Sequence, residues 1–299
     1  PEAVPSDMGG TSADVGLRLD GAPAPAAQRE VGGFTVRFPS LDVHTIGAGG
    51  GSIARIDPGG ALVVGPRSAG ADPGPACYGR GGRQPTVTDA DLAAGRIPVE
   101  AAFGGLTLDG AAAVAALDQA GVTAEGVLAV VDANMERALR AVSVERGVDP
   151  RGLALVAFGG AGPLHACALA DALGMPAVVV PARAGVLSAV GLLTAPRRRD
   201  LVRSWPTPDD HTGLSGALAA LADEARALVG GGAGPVQAEA TVATAVDCRY
   251  RGQSHELTVS SIEAFHDEHQ RRNGYARLDD PVEVVAIRAI ATRPPAVTG

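Results

Sequence analysis

The sequence predicts an α/β protein with a mixed sheet and flanking helices. Three observations carry that prediction. An apolar run, "LALVAF" at 153–158, leads through a glycine turn and a helical stretch to a second apolar run, "AVVV"; strand–helix–strand order of this kind marks α/β architecture. Between residues 123 and 147, apolar side chains at Val127, Val130, Val131, Met135, Leu139 and Val142 recur at helical spacing. At both ends of the chain, by contrast, apolar and polar residues alternate with period two, as in half-buried strands.

The elements follow in order. Residues 7–20, "DMGGTSADVGLRLD", read as strand, glycine turn and strand, with Val15, Leu17 and Leu19 alternating with small or polar neighbours. Short extended pieces, "FTVRF" and "LDVHTI", lead to a second glycine loop, "GAGGGS" at 47–52. "SIARID" and "ALVVG" form a hairpin around "DPGG". Residues 65–85 are rich in Gly and Pro and lack periodicity. They read as a long ordered loop, in which "ADPG" around Asp72 is a turn. Helices begin near residue 89, with Asp89 as the expected N-cap. A short helix ends at Gly121 and the longest at Gly147. "LALVAF" should be a strand buried on both faces. Beyond the second apolar run comes a small-residue helix, "GVLSAVGLLTA". The chain divides into a region of glycine-rich loops, 1–200, and an α+β region, 201–299. The latter has an Ala-rich helix, alternating strands at 241–258, a short polar helix and a terminal strand.

Composition narrows the function classes. Apolar residues are 46% of the 299 and charged residues 19%, a globular balance. Aromatics are 3%, so Ala, Val and Leu fill the core. The net charge of −8 argues against a nucleic-acid surface. The one basic cluster, "PRRRD" at 196–200, reads as a solvated turn. Cys77, Cys167 and Cys248 are far apart, so a reducing, cytoplasmic setting is expected rather than a disulfide framework. No uncharged apolar run is long enough for a membrane span, and no signal-peptide pattern is present. The chain opens on Pro1 and runs at once into a dense motif, which reads as a piece of something longer.

Glycine loops that follow strands expose backbone N–H groups, and at a helix N-terminus these make a nest for phosphate. "DMGGTS" and "FGGAGP" are two such loops, suited to the two ends of a nucleotide. Gly9 and Gly10 give close approach, and Thr11 and Ser12 add hydroxyl donors. Gly159, Gly160, Ala161 and Gly162 form the second turn. Asp7 and Asp14 are hard oxygen donors of the kind a phosphate-bound magnesium ion uses. A dinucleotide fold is disfavoured: "GAGPLH" lacks the third small residue, and no acid follows about twenty residues on. His44, two residues after Asp42, has two readings, a metal or substrate role and a structural hydrogen bond. Asp7, Asp14 and His44 are thus the candidate catalytic groups, and Asp7, Asp42 and His44 the candidate metal set. His165 has two readings as well, contact with adenosine or ribose and helix packing. Cys77 reads as a buried thiol, His255 as a structural residue on a strand, and His266 and His269 as a solvated helix face.

The chain resembles the hydantoinase A / 5-oxoprolinase family, which includes acetone carboxylase subunits. The resemblance is carried by "DMGGTSADV" (7–15), "DVHTIGAGGGSIA" (42–54), "VGPRSAGADPGPACYGRGG" (64–82), "PTVTDADLAAGR" (85–96), "NMERALRAVSVERG" (134–147), "FGGAGPLHACALADALGM" (158–175), "PARAGVLSAVGLLTA" (181–195) and "RYRGQSHEL" (249–257). It runs from about residue 7 to 291. It implies an actin-like ATPase (ribonuclease H-like) lobe binding ATP with Mg2+ or another divalent metal. "DMGGTS" would be the second phosphate motif and "FGGAGP" the adenosine motif, with Gly185 and Gly191 in a connecting helix. The implied function is an ATP-dependent hydrolase subunit that opens a cyclic amide, a hydantoin, 5-oxoproline or a lactam, through phosphoryl activation. A ketone carboxylase subunit and a non-catalytic nucleotide-binding remnant are the alternatives. The family's N-terminal lobe, with its own DxGGTxxD motif, and its C-terminal extension have no counterpart here, so the lobe is incomplete. The implied partners are a hydantoinase B-like subunit, a chain carrying the N-terminal lobe and a small cyclic amide or carbonyl substrate, with no nucleic acid and no membrane.

Overall fold

The computed structural model describes residues 2–26, 29–31, 33–36, 40–98, 100, 105–230 and 239–295. Part of the expected "FTVRF" strand lies outside the described residues. The chain divides into two units, 1–188 and 189–299, each with its own core.

The first unit opens with β1 (Ala3–Met8) and β2 (Ala13–Gly16), joined by the first glycine turn. Short strands follow: β3 (Arg18–Leu19), β4 (Ala22–Pro23), β5 (Pro25–Ala26), β6 (Arg29–Val31), β7 (Phe34–Val36), β8 (Ser40–Leu41) and β9 (Val43–Ile46). The second glycine loop leads into the hairpin β10 (Ser52–Ile56) and β11 (Leu62–Ser68). There Asp57 Oδ1 accepts from the Gly59 and Ala61 amides and closes the turn. Three helices follow: α1 (Val87–Ala93), α2 (Gly110–Ala120) and α3 (Ala124–Val142). After them come β12 (Ala154–Phe158), α4 (Gly162–Leu173) and β13 (Ala177–Val179). The main sheet runs β13–β12–β1–β2–β9. β1, β12 and β13 are parallel, whereas β2 is antiparallel to both β1 and β9, so the sheet is mixed.

The α3 stripe forms as its spacing predicts. Val127, Val131, Met135, Leu139 and Val142 are buried and pack with Met8 and Val15 of the sheet and Leu169 and Leu173 of α4. Three details depart from the sequence reading. α1 is capped by Thr86, not Asp89; Asp89 is the third helical residue and completes a capping box. α3 ends at Val142, where Ser143 Oγ donates to the Leu139 carbonyl, and a turn of 3-10 helix continues to Gly147. β12 alternates buried and half-buried residues, so one of its faces is only partly covered.

Asp89 does more than cap. Its carboxylate also accepts from the amides of Ala76 (3.2 Å) and Cys77 (2.8 Å), besides the Thr86 amide (2.9 Å) and hydroxyl (2.8 Å). It therefore pins the long loop to the start of α1. Cys77 is fully buried beside it, and burial, then the nearby carboxylate, pushes the thiol pKa upward.

The division between units falls within α5 (Leu187–Thr194) rather than near residue 200. The reason is β14 (Arg197–Ser204), which pairs with β17 along its whole length. The "PRRRD" cluster is thus strand, not turn: an exposed edge strand carries its charge in solvent on both faces. The second unit continues with α6 (Leu214–Gly230), β15 (Thr241–Tyr250), β16 (Leu257–Val259), α7 (Phe265–Asn273) and β17 (Val282–Arg293). The antiparallel sheet β14–β17–β15–β16 buries Tyr250, Ile287 and Val284 against α6 and α7. His269 is fully buried rather than solvated. Its Nδ1–H donates to the Tyr275 carbonyl (2.8 Å) and Nε2 accepts from Gln253 (3.2 Å), which satisfies a neutral ring. His266 Nδ1 bonds the Tyr250 hydroxyl, and His255 lies in the exposed loop before β16, not on a strand.

Replacing Asp89 with Ala leaves buried amides without acceptors. We expect a loss of about 2–4 kcal/mol in stability and faster proteolytic cleavage within residues 65–85, read by denaturant unfolding and limited proteolysis.

Candidate functional site

The two predicted glycine bends lie side by side. β1 and β12 are adjacent and parallel, with Asp7 in register with Phe158, so the turns that follow them leave the same end of the sheet. The Ala161 amide donates to the Met8 carbonyl (2.9 Å). Gly159 has φ +81° and sits against Asp7 and Met8, where any Cβ would collide with both.

A third loop joins them, which the sequence reading recorded as a loop but did not assign to the site. Gly50 N donates to Gly9 O (3.0 Å) and Gly51 N to Gly10 O (2.6 Å). A Cβ on Gly49 would stand 2.5 Å from Thr11 N and 2.6 Å from Gly10 C. The loop is held from behind by Thr88 on α1, whose amide (2.7 Å) and hydroxyl (2.8 Å) both donate to Gly50 O. Within the first turn, Gly9 N donates to Ser12 O (3.0 Å), and Thr11 Oγ1 bonds Ser68 Oγ (3.1 Å). Gly10, Thr11 and Gly160 are exposed, and nothing lies within 4 Å of where a Cβ on Gly10 or Gly160 would be. α4 opens at this junction, and its cap residue, Ala161, offers no side-chain acceptor to the first amides. Free amides and the positive end of a helix are what an anion needs.

Asp7 and Asp14 face one another across β1 and β2. Directly opposed like charges repel. Each is held by one hydroxyl: Ser188 Oγ donates to Asp7 Oδ2 (2.6 Å) and Thr45 Oγ1 to Asp14 Oδ1 (2.5 Å). Ser188 lies on the segment that carries Gly185. Ala184 O in the same segment accepts from Gly159 N (2.9 Å), so this segment also belongs to the junction. Gly185 itself, in a turn of 3-10 helix just before α5, has open space around it.

The expected metal set does not assemble. Thr45 shares a face with Asp14 and Asp7, and strand residues alternate, so His44 projects from the other face, and Asp42, just before β9, is taken up by Arg146. On that other face His44 lines a groove of about 350 Å3 with Asn134 and Arg137 of α3. Among the described residues no group of three or more His, Cys, Asp and Glu side chains gathers as a metal site.

His165 resolves as a buried ionic residue. Nδ1 bonds Asp132 Oδ1 (2.6 Å), and Nε2 stands 3.5 Å from Asp91 Oδ2. Arg96 lies 3.6 Å from Asp91 and 3.8 Å from Asp132. Burial pulls the imidazole pKa down, but the two carboxylates outweigh it and hold it up at about 9.

The hydantoinase/oxoprolinase profile matches residues 1–201, two thirds of the chain. The chain belongs to the hydantoinase/oxoprolinase family. Caprolactamase subunit alpha of Pseudomonas jessenii is 36% identical over 325 residues, covering 97% of this chain and 46% of that protein. The 5-oxoprolinase PfmaA of Pestalotiopsis fici is 40% identical over 212 residues, covering 63% of this chain and 16% of that protein. The crystal structure of the ATP-dependent caprolactamase from Pseudomonas jessenii matches with a TM-score of 0.67 at 33% identity, over 100% of this chain and 47% of that one. Nucleotide-free acetone carboxylase matches with a TM-score of 0.80 at 24% identity, over 99% of this chain and 47% of that one, and shares the fold. This hydantoinase/oxoprolinase chain therefore spans less than half the length of caprolactamase subunit alpha. Among its described residues, no single helix is long and apolar enough to cross a membrane.

Two outcomes follow from this geometry. Gly49→Ala places a methyl group against main chain that cannot yield cheaply. We expect a loss of about 1–3 kcal/mol and faster amide exchange at 9–12 and 47–52, read by hydrogen exchange. The second concerns pH. His165 has a folded-state pKa above its ordinary 6.5, so its contribution is complete below about pH 6.5 and is lost as pH rises through about 9. The melting temperature should fall across that window, and His165→Gln should flatten the fall.

Proposed function

We propose that this chain forms the nucleotide-binding portion of an ATP-dependent enzyme that activates a cyclic amide by phosphorylating its carbonyl oxygen. The observation that carries the reading is the junction of the Gly9–Thr11, Gly49–Gly51 and Gly159–Ala161 loops at the carboxyl ends of β1 and β12, with Asp7 beside it. Ligands of open α/β sheets bind at such strand ends. The mixed sheet and the likeness to acetone carboxylase support an actin-like, ribonuclease H-like lobe. The match to caprolactamase subunit alpha over 97% of this chain favours a cyclic amide over a ketone.

In this reading the amides and hydroxyl around Gly10 and Thr11 hold the phosphates, and the Gly159–Ala161 turn holds the adenosine side. Asp7 and Asp14 fit a magnesium ion carried on the phosphates, because that ion takes one or two carboxylates and fills its other positions with phosphate oxygens and water. Magnesium, when bound, neutralises charge on the phosphates. Ser188 keeps the Asp7 carboxylate in one orientation toward the reacting phosphate. The amide oxygen bonds to the γ-phosphorus as the bond from that phosphorus to the ADP oxygen breaks. One water then adds to the activated carbon and the ring nitrogen leaves with a proton, which gives an acyl phosphate; a second water cleaves that to carboxylate and phosphate. The sum is cyclic amide, ATP and two waters to open-chain amino acid, ADP and phosphate. Such transfer depends mainly on positioning and charge stabilisation. We assign the other side of the clamp to an N-terminal lobe and the ring-opening step to a hydantoinase B-like subunit, in a cytoplasmic assembly.

Asp7→Asn keeps the size of the side chain and its contact with Ser188 but removes the charge. We expect Mg-ATP turnover in the assembled enzyme to fall by about 100-fold or more, with ATP still bound. Unchanged turnover would overturn the role given to Asp7.

A further inference from the structure

The buried charges of the first unit have no part in the chemistry above. His165 is fully buried and Asp91 is 1% exposed. Both Asp91 oxygens, and His165 Nε2 facing them, make no hydrogen bond. Among the described residues, Asp91 is met only by two cations at ion-pair distance, His165 Nε2 (3.5 Å) and Arg96 (3.6 Å), and apolar residues of like volume commonly serve stability as well. The cluster contributes to stability, but stability alone does not call for charges here, whereas their position does.

Asp91 lies one helical turn beyond Thr88 on α1, and Thr88 holds Gly50, which with Gly51 holds Gly9 and Gly10. His165 lies in the first turn of α4, directly behind the Gly159–Ala161 turn. Asp132 of α3 fixes the imidazole through Nδ1, and that leaves Nε2 aimed at Asp91. Arg96 spans both carboxylates and donates to Leu164 O (3.4 Å) at the same end of α4. In front, the loops are tied by Ala161 N to Met8 O; behind, the tie is electrostatic.

We propose that the His165–Asp91 pair, steadied by Asp132 and Arg96, sets the spacing between the Gly9–Thr11 loop and the Gly159–Ala161 turn, and so governs affinity for a ligand that bridges the two. The proposal rests on the nucleotide reading above. These are positioning residues: they act through the two loops and touch no reacting atom. A change in the separation of α1 and α4 moves one loop against the other, and small displacements weaken a two-ended grip far more than a one-ended one.

The test compares ATP with inorganic tripolyphosphate, which needs the phosphate loop alone. Titrations use the assembled enzyme, with this chain unsubstituted, as its Asp91→Asn and His165→Gln variants, and as the double variant. ATP affinity should fall about tenfold in each single variant while tripolyphosphate affinity stays within about twofold. If both substitutions break one contact, the double variant should lose no more than either single variant. Unchanged ATP affinity, equal losses for the two ligands, or additive losses would overturn the proposal. Should His165→Gln fail to fold, Asp91→Asn, which changes charge and not volume, decides alone. An unsubstituted protein that binds neither ligand overturns the nucleotide reading itself, a result distinct from variants that bind both ligands normally.

Discussion

Main chain packed against main chain, with no Cβ between, is the constraint on which the rest of the site depends. At Gly49, Gly51 and Gly159, one loop's backbone lies where another residue's side chain would have to go. Glycine at these places costs conformational entropy on folding. That cost is offset only because the loops then hydrogen-bond to one another, Gly50 to Gly9, Gly51 to Gly10 and Ala161 to Met8. The parallel pairing of β1 with β12 brings the loops to one place, and the paired amides hold them there. α4 follows directly on the Gly159–Ala161 turn, and α1 is tied to the Gly49–Gly51 loop through Thr88, so the same contacts orient both helices.

Much of this was legible in the sequence, and what was not has a physical reason. The α3 stripe was readable because helical spacing is local, and the Asp57 hairpin and the glycine bends because turn chemistry is local. The cap of α1 went to Thr86 because a hydroxyl residue three positions before an acid closes a reciprocal pair, which makes Asp89 the partner and not the cap. "PRRRD" looked like a turn because charge on both sides of a segment resembles a solvated bend. Only its pairing with β17 identifies it as an edge strand. His269 looked solvated because its neighbours are polar, but its face of α7, shared with Phe265, is turned to the Tyr250 and Tyr275 rings.

The candidate metal set shows the limit most clearly. Asp42, just before β9, and His44 on it are two apart in sequence, and spacing alone makes them a pair. Whether that pair meets Asp7 is decided by the parity of two ladders, β1 with β2 and β2 with β9. Parity puts Thr45, not His44, beside Asp14. A shift of one residue in either register would reverse the answer. Register is set by long-range pairing, which no local pattern contains. The third glycine loop was passed over for the same reason, since its significance lies in what it touches.

The two pairs of carboxylates in the first unit are treated in opposite ways, and the contrast bears on function. Asp91 and Asp132 are balanced from within: Arg96 and a protonated His165 supply two positive charges to their two negative ones. That cluster is electrically closed, as burial requires. Asp7 and Asp14 are opposed across a strand pair, only partly buried, and receive from Ser188 and Thr45 hydroxyl hydrogens but no charge. Their repulsion is left for something outside the chain to relieve. A cation arriving with a phosphate chain would do so, and it would meet the pair at the end of the sheet where the free amides already gather. On the nucleotide reading proposed above, the closed cluster belongs to the frame and the open pair to the ligand.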